Sequence, residues 1–176
     1  MTVCAPEKVD YRTTPGASVT LAEREFLREM ARKAGDSANI FNIGVGRGAS
    51  MHCLRAGAPN ATLYGIDLNN SLLIGDPKAT LITGNSNDPS HLPGEIVDLL
   101  FVDGAHDFKC VLYDVTLWAE SVRLGGVMIF HDYYLNNTEV REAVTFWFCH
   151  ITSAVWTEVE APHSMFALRK LCRLED

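Results

Sequence analysis

Between residues 98 and 134 two apolar runs end in side chains able to do chemistry: DLLFVDGAH closes on Asp103 and His106, and GGVMIFHDYY on His131 and Asp132. An apolar run of strand length flanked by Gly and Asp reads as a buried parallel strand, and ligands on parallel sheets collect at the strands' carboxyl ends. In a doubly wound sheet these two strands are neighbours, which places the four residues along one rim. Carboxylate oxygens and an imidazole nitrogen on one rim form a donor set for a divalent cation, so Asp103, His131 and Asp132 are candidate metal ligands. The plainer readings are Asp103 as a helix cap and His131 as a locally hydrogen-bonded residue.

A second group of residues lies around the turn NIGVGRGAS, residues 42–50, where Gly44, Gly46 and Gly48 sit as a strand bends into a helix. Glycine permits positive φ and lets a backbone approach a ligand closely, although a tight turn uses it for sterics alone as well. The next strand ends at Asp67, about 20 residues on, the place where an acidic side chain in such folds accepts hydrogen bonds from a ribose diol. An ordinary loop carboxylate is the alternative for Asp67. The spacing Gly44-x-Gly46-x-x-Ala49 also satisfies the dinucleotide pattern, but no second mononucleotide-binding half follows, which favours a smaller, adenosine-type cofactor.

The elements that must position these residues follow from the pattern of the chain. A helix starts near Ser18, with an apolar stripe of Leu21, Ala22, Phe26, Met30 and Ala31 around Glu25, and stops at Gly35. After it, short β-rich runs alternate with helical patterns over 49–56 and 108–122, which predicts a parallel sheet with crossover helices. The connections 67–80 and 85–94 are too short or too rich in turn residues for full helices. A last helix over 138–149 precedes two close runs, ITSAVWTEVE and SMFALRKL, that should pair antiparallel. The predicted fold class is α/β: a doubly wound, Rossmann-like sheet of five parallel strands plus a C-terminal antiparallel pair. Residues 1–34 read as an N-terminal arm and helix, and 35–176 as one domain. Trp118 lies on an apolar helical face and is expected in the core.

Composition narrows the function classes. The chain has 176 residues, 15 basic and 22 acidic, with a formal charge of -7, which works against attraction to nucleic acid or anionic membranes. Five cysteines without a Cys-x-x-Cys pair suggest neither a disulfide framework nor a zinc site. No apolar stretch reaches membrane-spanning length. A soluble, cytoplasmic protein acting on a small molecule is the expectation, with no nucleic-acid or membrane partner and with a homo-oligomer left open.

The glycine turn, the strand end at Asp67, the GNSND loop and above all FVDGAHDFKCVLYDVTLWAESVRLGGVMIFHDYY resemble the class I S-adenosylmethionine-dependent methyltransferases, in their small-molecule O-methyltransferase branch. The resemblance covers roughly residues 35–170. It implies that the backbone of Gly44, Val45 and Gly46 lies against the methionine part of S-adenosylmethionine and that Asp67, with Leu68 beside it, holds the ribose. It places Asn85 and Ser86 at the adenine and Asp103 near the cofactor as well as the metal. Asn42 stands where the family usually has an acid, and its amide can accept a hydrogen bond from the cofactor's ammonium without contributing charge.

The rim resembles the catechol O-methyltransferase type, in which an acidic residue after the fourth strand and an Asp-Asn pair after the fifth hold magnesium. Here Asp103, His131 and Asp132 fall on those positions, and a histidine among them tilts the preference toward manganese, iron or zinc. The family's catalytic lysine falls on His106, whose near-neutral pKa suits a general base, with His131 the second candidate. The resemblance thus implies methyl transfer from S-adenosylmethionine to a hydroxyl of a small molecule, with divalent-metal assistance. Two alternatives stand beside it: an S-adenosylmethionine-binding protein without transferase activity of its own, and, further off, an NAD-dependent oxidoreductase.

Overall fold

The computed structural model describes residues 19–69, 76, 78–94, 96–136, 138–152 and 154–173. The N-terminal arm and most of the 67–80 connection lie outside them. A seven-stranded sheet is built from β1 (Asn39–Ile43), β2 (Thr62–Asp67), β3 (Ala79–Thr83), β4 (Val97–Val102), β5 (Val122–Phe130), β6 (Ala154–Val159) and β7 (Phe166–Arg173). Its order is β3-β2-β1-β4-β5-β7-β6, with the first five parallel as expected and β7 antiparallel to both β5 and β6. The C-terminal pair therefore enters the sheet through its second strand, and only β7 runs against the rest.

Helices α1 (Leu21–Ala34) and α2 (Ala49–Gly57) cover one face, and α3 (Phe108–Trp118) and α4 (Val140–His150) the other. Strand alternation sorts the core accordingly. Ile40, Leu99, Phe101, Val127 and Ile129 pack on the α1 and α2 side, while Phe41, Leu100, Val102, Met128 and Phe130 pack against Trp118, Val144 and Trp147. The same parity turns Asn42 and His131, both buried, toward the α1 and α2 side.

Helix α1 differs from the expected stripe. Leu21 and Ala22 are exposed, and the buried face is Glu23, Arg24, Leu27, Met30 and Ala31. Two charged residues turn inward because each has partners there: Arg24 Nε donates to the Val19 carbonyl at 3.0 Å, and Glu23 accepts from Thr20 and Ser164. Between β3 and β4 the described chain forms only a short 3-10 turn, Pro89–His91, in keeping with the expected stunted connection.

The strand ends form one continuous row. Gly44 N–H donates to Ile66 O at 2.9 Å, Asp103 N–H to Ile43 O at 2.8 Å, and His131 N–H to Val102 O at 3.1 Å. At Gly44, with φ of 80°, a Cβ would lie 1.9 Å from the Asp103 carbonyl oxygen, whereas at Gly46, with φ of 50°, it would meet nothing within 4 Å. Gly44→Ala is therefore expected to lower stability by about 3 kcal/mol or more in urea unfolding, and Gly46→Ala by about 1 kcal/mol, the cost of a left-handed backbone alone. Equal losses at the two positions would contradict this assignment.

Candidate active site

The sheet edge brings together Asp103, His131, Asp132 and His106. His131 Nδ1 lies 3.1 Å from Asp103 Oδ1 and 3.1 Å from Asp132 Oδ1, and His106 Nε2 lies 3.2 Å from Asp132 Oδ2. Asp103 is free of helix capping, because Asp107 accepts the Cys110 N–H at 3.0 Å and caps α3 instead. The loop carrying His106 is clamped to the start of α4: Glu139 N–H donates to the His106 carbonyl at 3.0 Å, and Phe108 N–H to the Glu139 carboxylate at 2.7 Å. Asp132 adopts φ of 57°, a left-handed conformation that Asp tolerates better than most residues and that clusters at functional sites.

The rim contains one residue the sequence reading passed over. Glu23, at the start of α1, places Oε2 3.6 Å from His131 Nε2, and both side chains are 2% exposed. Its signal was present as Thr20-x-x-Glu23, a capping box, which the structure contains in full. Carboxylates thus flank His131 on both sides, yet neither ring nitrogen has an aligned hydrogen-bond partner. Burial opposes charge on the ring, but Asp103, Asp132 and Glu23 together push its pKa up to about 12. Against its own burial, Glu23 is held well below the usual carboxylate range by His131, Thr20 and Ser164. The exposed His106 imidazole is raised by Asp103, then by Asp132, against partial burial.

Beside the rim opens a cleft of about 340 Å³ lined by residues that include Thr20, His131, Tyr134, Leu135, His163 and Ser164. Of the aromatic residues near the rim, Tyr134 faces this cleft, whereas Tyr133 stacks on Phe166 at 4.2 Å and Phe108 packs edge-on against Phe146.

At the glycine turn, Asp67 Oδ2 accepts the N–H groups of Val45 and Gly46, each at 2.9 Å, and Oδ1 accepts the Asn69 N–H at 2.9 Å. Three of the carboxylate's roughly four lone-pair sites are thus engaged by backbone. Asn42 Nδ2 donates to Ser50 Oγ at 2.8 Å, while its buried Oδ1 has no partner. Leu68 is 75% exposed at the strand end. Asn85 Oδ1 caps the Asn87 N–H at 3.0 Å, and the Ser86 carbonyl accepts Trp118 Nε1–H at 2.9 Å, which ties this loop to the core.

A family described as a methyltransferase domain matches residues 41–133, more than half of the chain and the stretch that holds the glycine turn, Asp67 and the rim. The chain belongs to this methyltransferase domain family. No curated protein matches it. Among solved structures it resembles the MycE methyltransferase from the mycinamycin biosynthetic pathway, in complex with Mg and SAH, with 17% identity and a TM-score of 0.70 over 92% of this chain and 53% of that one. The chain therefore spans about half the length of MycE. It also resembles the O-methyltransferase NovP, at 14% identity and a TM-score of 0.70 over 86% and 81% of the two chains. An rRNA methylase from Streptococcus thermophilus aligns at 15% identity and a TM-score of 0.62 over 83% and 95%. Identities this low establish a shared methyltransferase fold, α/β throughout, and leave the acceptor to be argued from the site.

In this methyltransferase domain the donor atoms of Asp103, His131 and Asp132 lie within 4.8 Å of one another. Two carboxylates and a buried imidazole nitrogen without an aligned partner fit a divalent cation. Among the described residues no helix is long and apolar enough to cross a membrane.

The loop at Asn85 and Ser86 rests on Asp114, which is 1% exposed and accepts Asn87 Nδ2–H at 2.7 Å. Burial raises its carboxyl from 3.8 to about 6, despite the hydrogen bonds from Ser86 and Asn87. The folded chain then binds the extra proton, so this contribution to stability is fully present below about pH 4 and lost as pH rises through 6. Relative to Asp114→Asn, the wild type should gain on the order of 3 kcal/mol in urea unfolding as pH falls from 7.5 to 4. A difference that stays constant with pH would refute this role.

Proposed function

We propose that this methyltransferase domain moves a methyl group from S-adenosylmethionine to a hydroxyl of a small molecule, with a divalent cation at Asp103, His131 and Asp132 and with His106 as general base. The observation that carries the reading is the rim itself: three potential ligands and an exposed histidine, with Asp103 beside Gly44 of the glycine turn at the carboxyl ends of β4 and β1. The complex of MycE with Mg and SAH supports it by analogy. The formal charge of -7 favours a small acceptor over RNA.

Bound at the glycine turn, S-adenosylmethionine supplies a methyl group carried on a positively charged sulfonium. The backbone at Gly44, Val45 and Gly46 would lie against its methionine part, and the unpartnered Asn42 Oδ1 is available to its ammonium. Asp67 would take the ribose, with one of its loop amides sharing or yielding a lone pair. Leu68, Asn85 and Ser86 would border the adenine end and Asp103 the reacting end. A divalent cation, when bound, lowers the pKa of a nearby hydroxyl. His106 accepts the acceptor's proton, and Asp103 and Asp132 stabilise the imidazolium that results, the same interactions that already raise its pKa. The balance is one O–CH3 bond formed, one S–CH3 bond broken and one proton passed to His106.

Calorimetry with S-adenosylmethionine, SAH and NAD separates this reading from a dehydrogenase: binding to the first two is expected, and binding to NAD alone would end the proposal. In an assay on a panel of hydroxylated small molecules with Mg²⁺ or Mn²⁺, His106→Ala should lower turnover by roughly 100-fold or more with SAH affinity unchanged. Cofactor binding with no turnover under any metal would favour a binding protein instead.

A further inference from the structure

The chain offers an imidazole where the resemblance calls for a carboxylate, and a neutral imidazole has only one lone pair to give. A cation shared with Asp103 and Asp132 needs that lone pair on Nδ1, the nitrogen 3.1 Å from both carboxylates. The proton must then sit on Nε2, and the group facing Nε2 is Glu23.

Glu23 is fixed more firmly than a helix cap requires. Oε2 accepts the Thr20 N–H and the Thr20 hydroxyl, each at 2.8 Å, and Oε1 accepts the Ser164 N–H at 3.2 Å and the Ser164 hydroxyl at 2.8 Å. Four donors from two segments leave the carboxylate no freedom to turn away from the ring. At 3.6 Å the contact with Nε2 is longer than a good hydrogen bond, but both side chains are 2% exposed, so the electrostatic preference is weakly screened. A lone pair on Nε2 would face the carboxylate repulsively, whereas an N–H there is attracted to it. Carboxylates behind metal-bound histidines fix tautomer and ring orientation in this way.

We propose that Glu23 is a positioning residue: it holds the proton of His131 on Nε2, orients the ring, and so frees the Nδ1 lone pair to join Asp103 and Asp132 on a divalent cation. This rests on the cation reading of the rim given above. It also makes α1 part of the active centre, because the residue that caps the helix is the one that faces His131.

The test uses the full chain and Mn²⁺ alone, titrated by electron paramagnetic resonance. Glu23→Gln, which keeps shape and an acceptor oxygen, should weaken Mn²⁺ binding moderately, and Glu23→Leu by roughly 10- to 100-fold. If Glu23→Leu does not fold, as judged by circular dichroism, Glu23→Gln carries the comparison. With Zn²⁺ bound and ¹⁵N-histidine labelling, the wild type should show His131 metal-bound at Nδ1 with its Nε2 proton shifted downfield by the facing carboxylate, and Glu23→Gln should move that proton upfield, which a role confined to capping α1 would not do. Wild-type affinity in the folded variants, or a His131 Nε2 proton signal unchanged in Glu23→Gln with Zn²⁺ bound, would overturn the role of Glu23 while leaving the cation site standing. Absence of Mn²⁺ and Zn²⁺ binding in the wild type would overturn the cation reading and this proposal together.

Discussion

The close approach of the Gly44 and Asp103 backbones is the constraint on which the arrangement turns. A methyl at Gly44 would fall 1.9 Å from the Asp103 carbonyl oxygen, so β1 and β4 can be neighbours at their carboxyl ends only because position 44 carries no side chain. This contact joins two halves that the sequence separates by some 60 residues: a turn whose amides Asp67 gathers, and a rim of charged side chains. Gly65 repeats the device one strand away, where an added Cβ would strike Val45, the residue that anchors the turn in the core. The site is therefore held at backbone level, which leaves its side chains free to meet electrostatic rather than packing demands.

Those demands are severe around His131. Three carboxylates surround one ring that is 3% exposed, and the Glu23 carboxylate, itself buried, needs compensation there. Two answers are built into the chain. The ring answers the charge locally, since, against burial, Asp103, Asp132 and Glu23 favour its protonated form. Backbone and hydroxyl donors of Thr20 and Ser164 answer it around Glu23 as well.

How much of this was legible in the sequence depends on distance along the chain. The parallel strands, their glycine and carboxylate ends and the final hairpin were readable because each is coded by local pattern. Strand parity was readable too, and it already assigns Asn42 and His131 to one face. The entry of the hairpin through β7 depends on burial: Ala167 and Leu168 are fully buried, while Thr157 and Glu158 on β6 are exposed and suit an edge. The side facing His131 was not readable. The capping box predicts Glu23 as a helix start, but its contact with residues 131 and 164 is set by how Leu27, Met30 and Ala31 seat α1 on the sheet, a tertiary register that no local pattern carries. The engagement of Asp67 by the amides of Val45 and Gly46 was likewise hidden, because the same carboxylate serves loop and ligand with the same lone pairs.

The histidine at position 131 then becomes intelligible as an exchange of donors rather than a loss of charge, because Asp132 stands where the resemblance has a neutral amide. The rim that this one resembles has two carboxylates and a neutral amide; here Asp103 and Asp132 are again two carboxylates, His131 is the third donor, and Glu23 adds a further negative charge one imidazole behind them. The number of rim carboxylates is unchanged, but the imidazole offers a borderline-soft nitrogen donor in place of a hard oxygen, which would shift the preference of a bound cation away from magnesium. His131 also ties the site to α1, since it faces Glu23, whose carboxylate is held by Thr20 and Ser164. A carboxylate at position 131 would itself carry the third charge and would make Glu23 an uncompensated neighbour. Residues 23 and 131 therefore make physical sense as a pair: a carboxylate at position 131 would call for an uncharged residue at position 23.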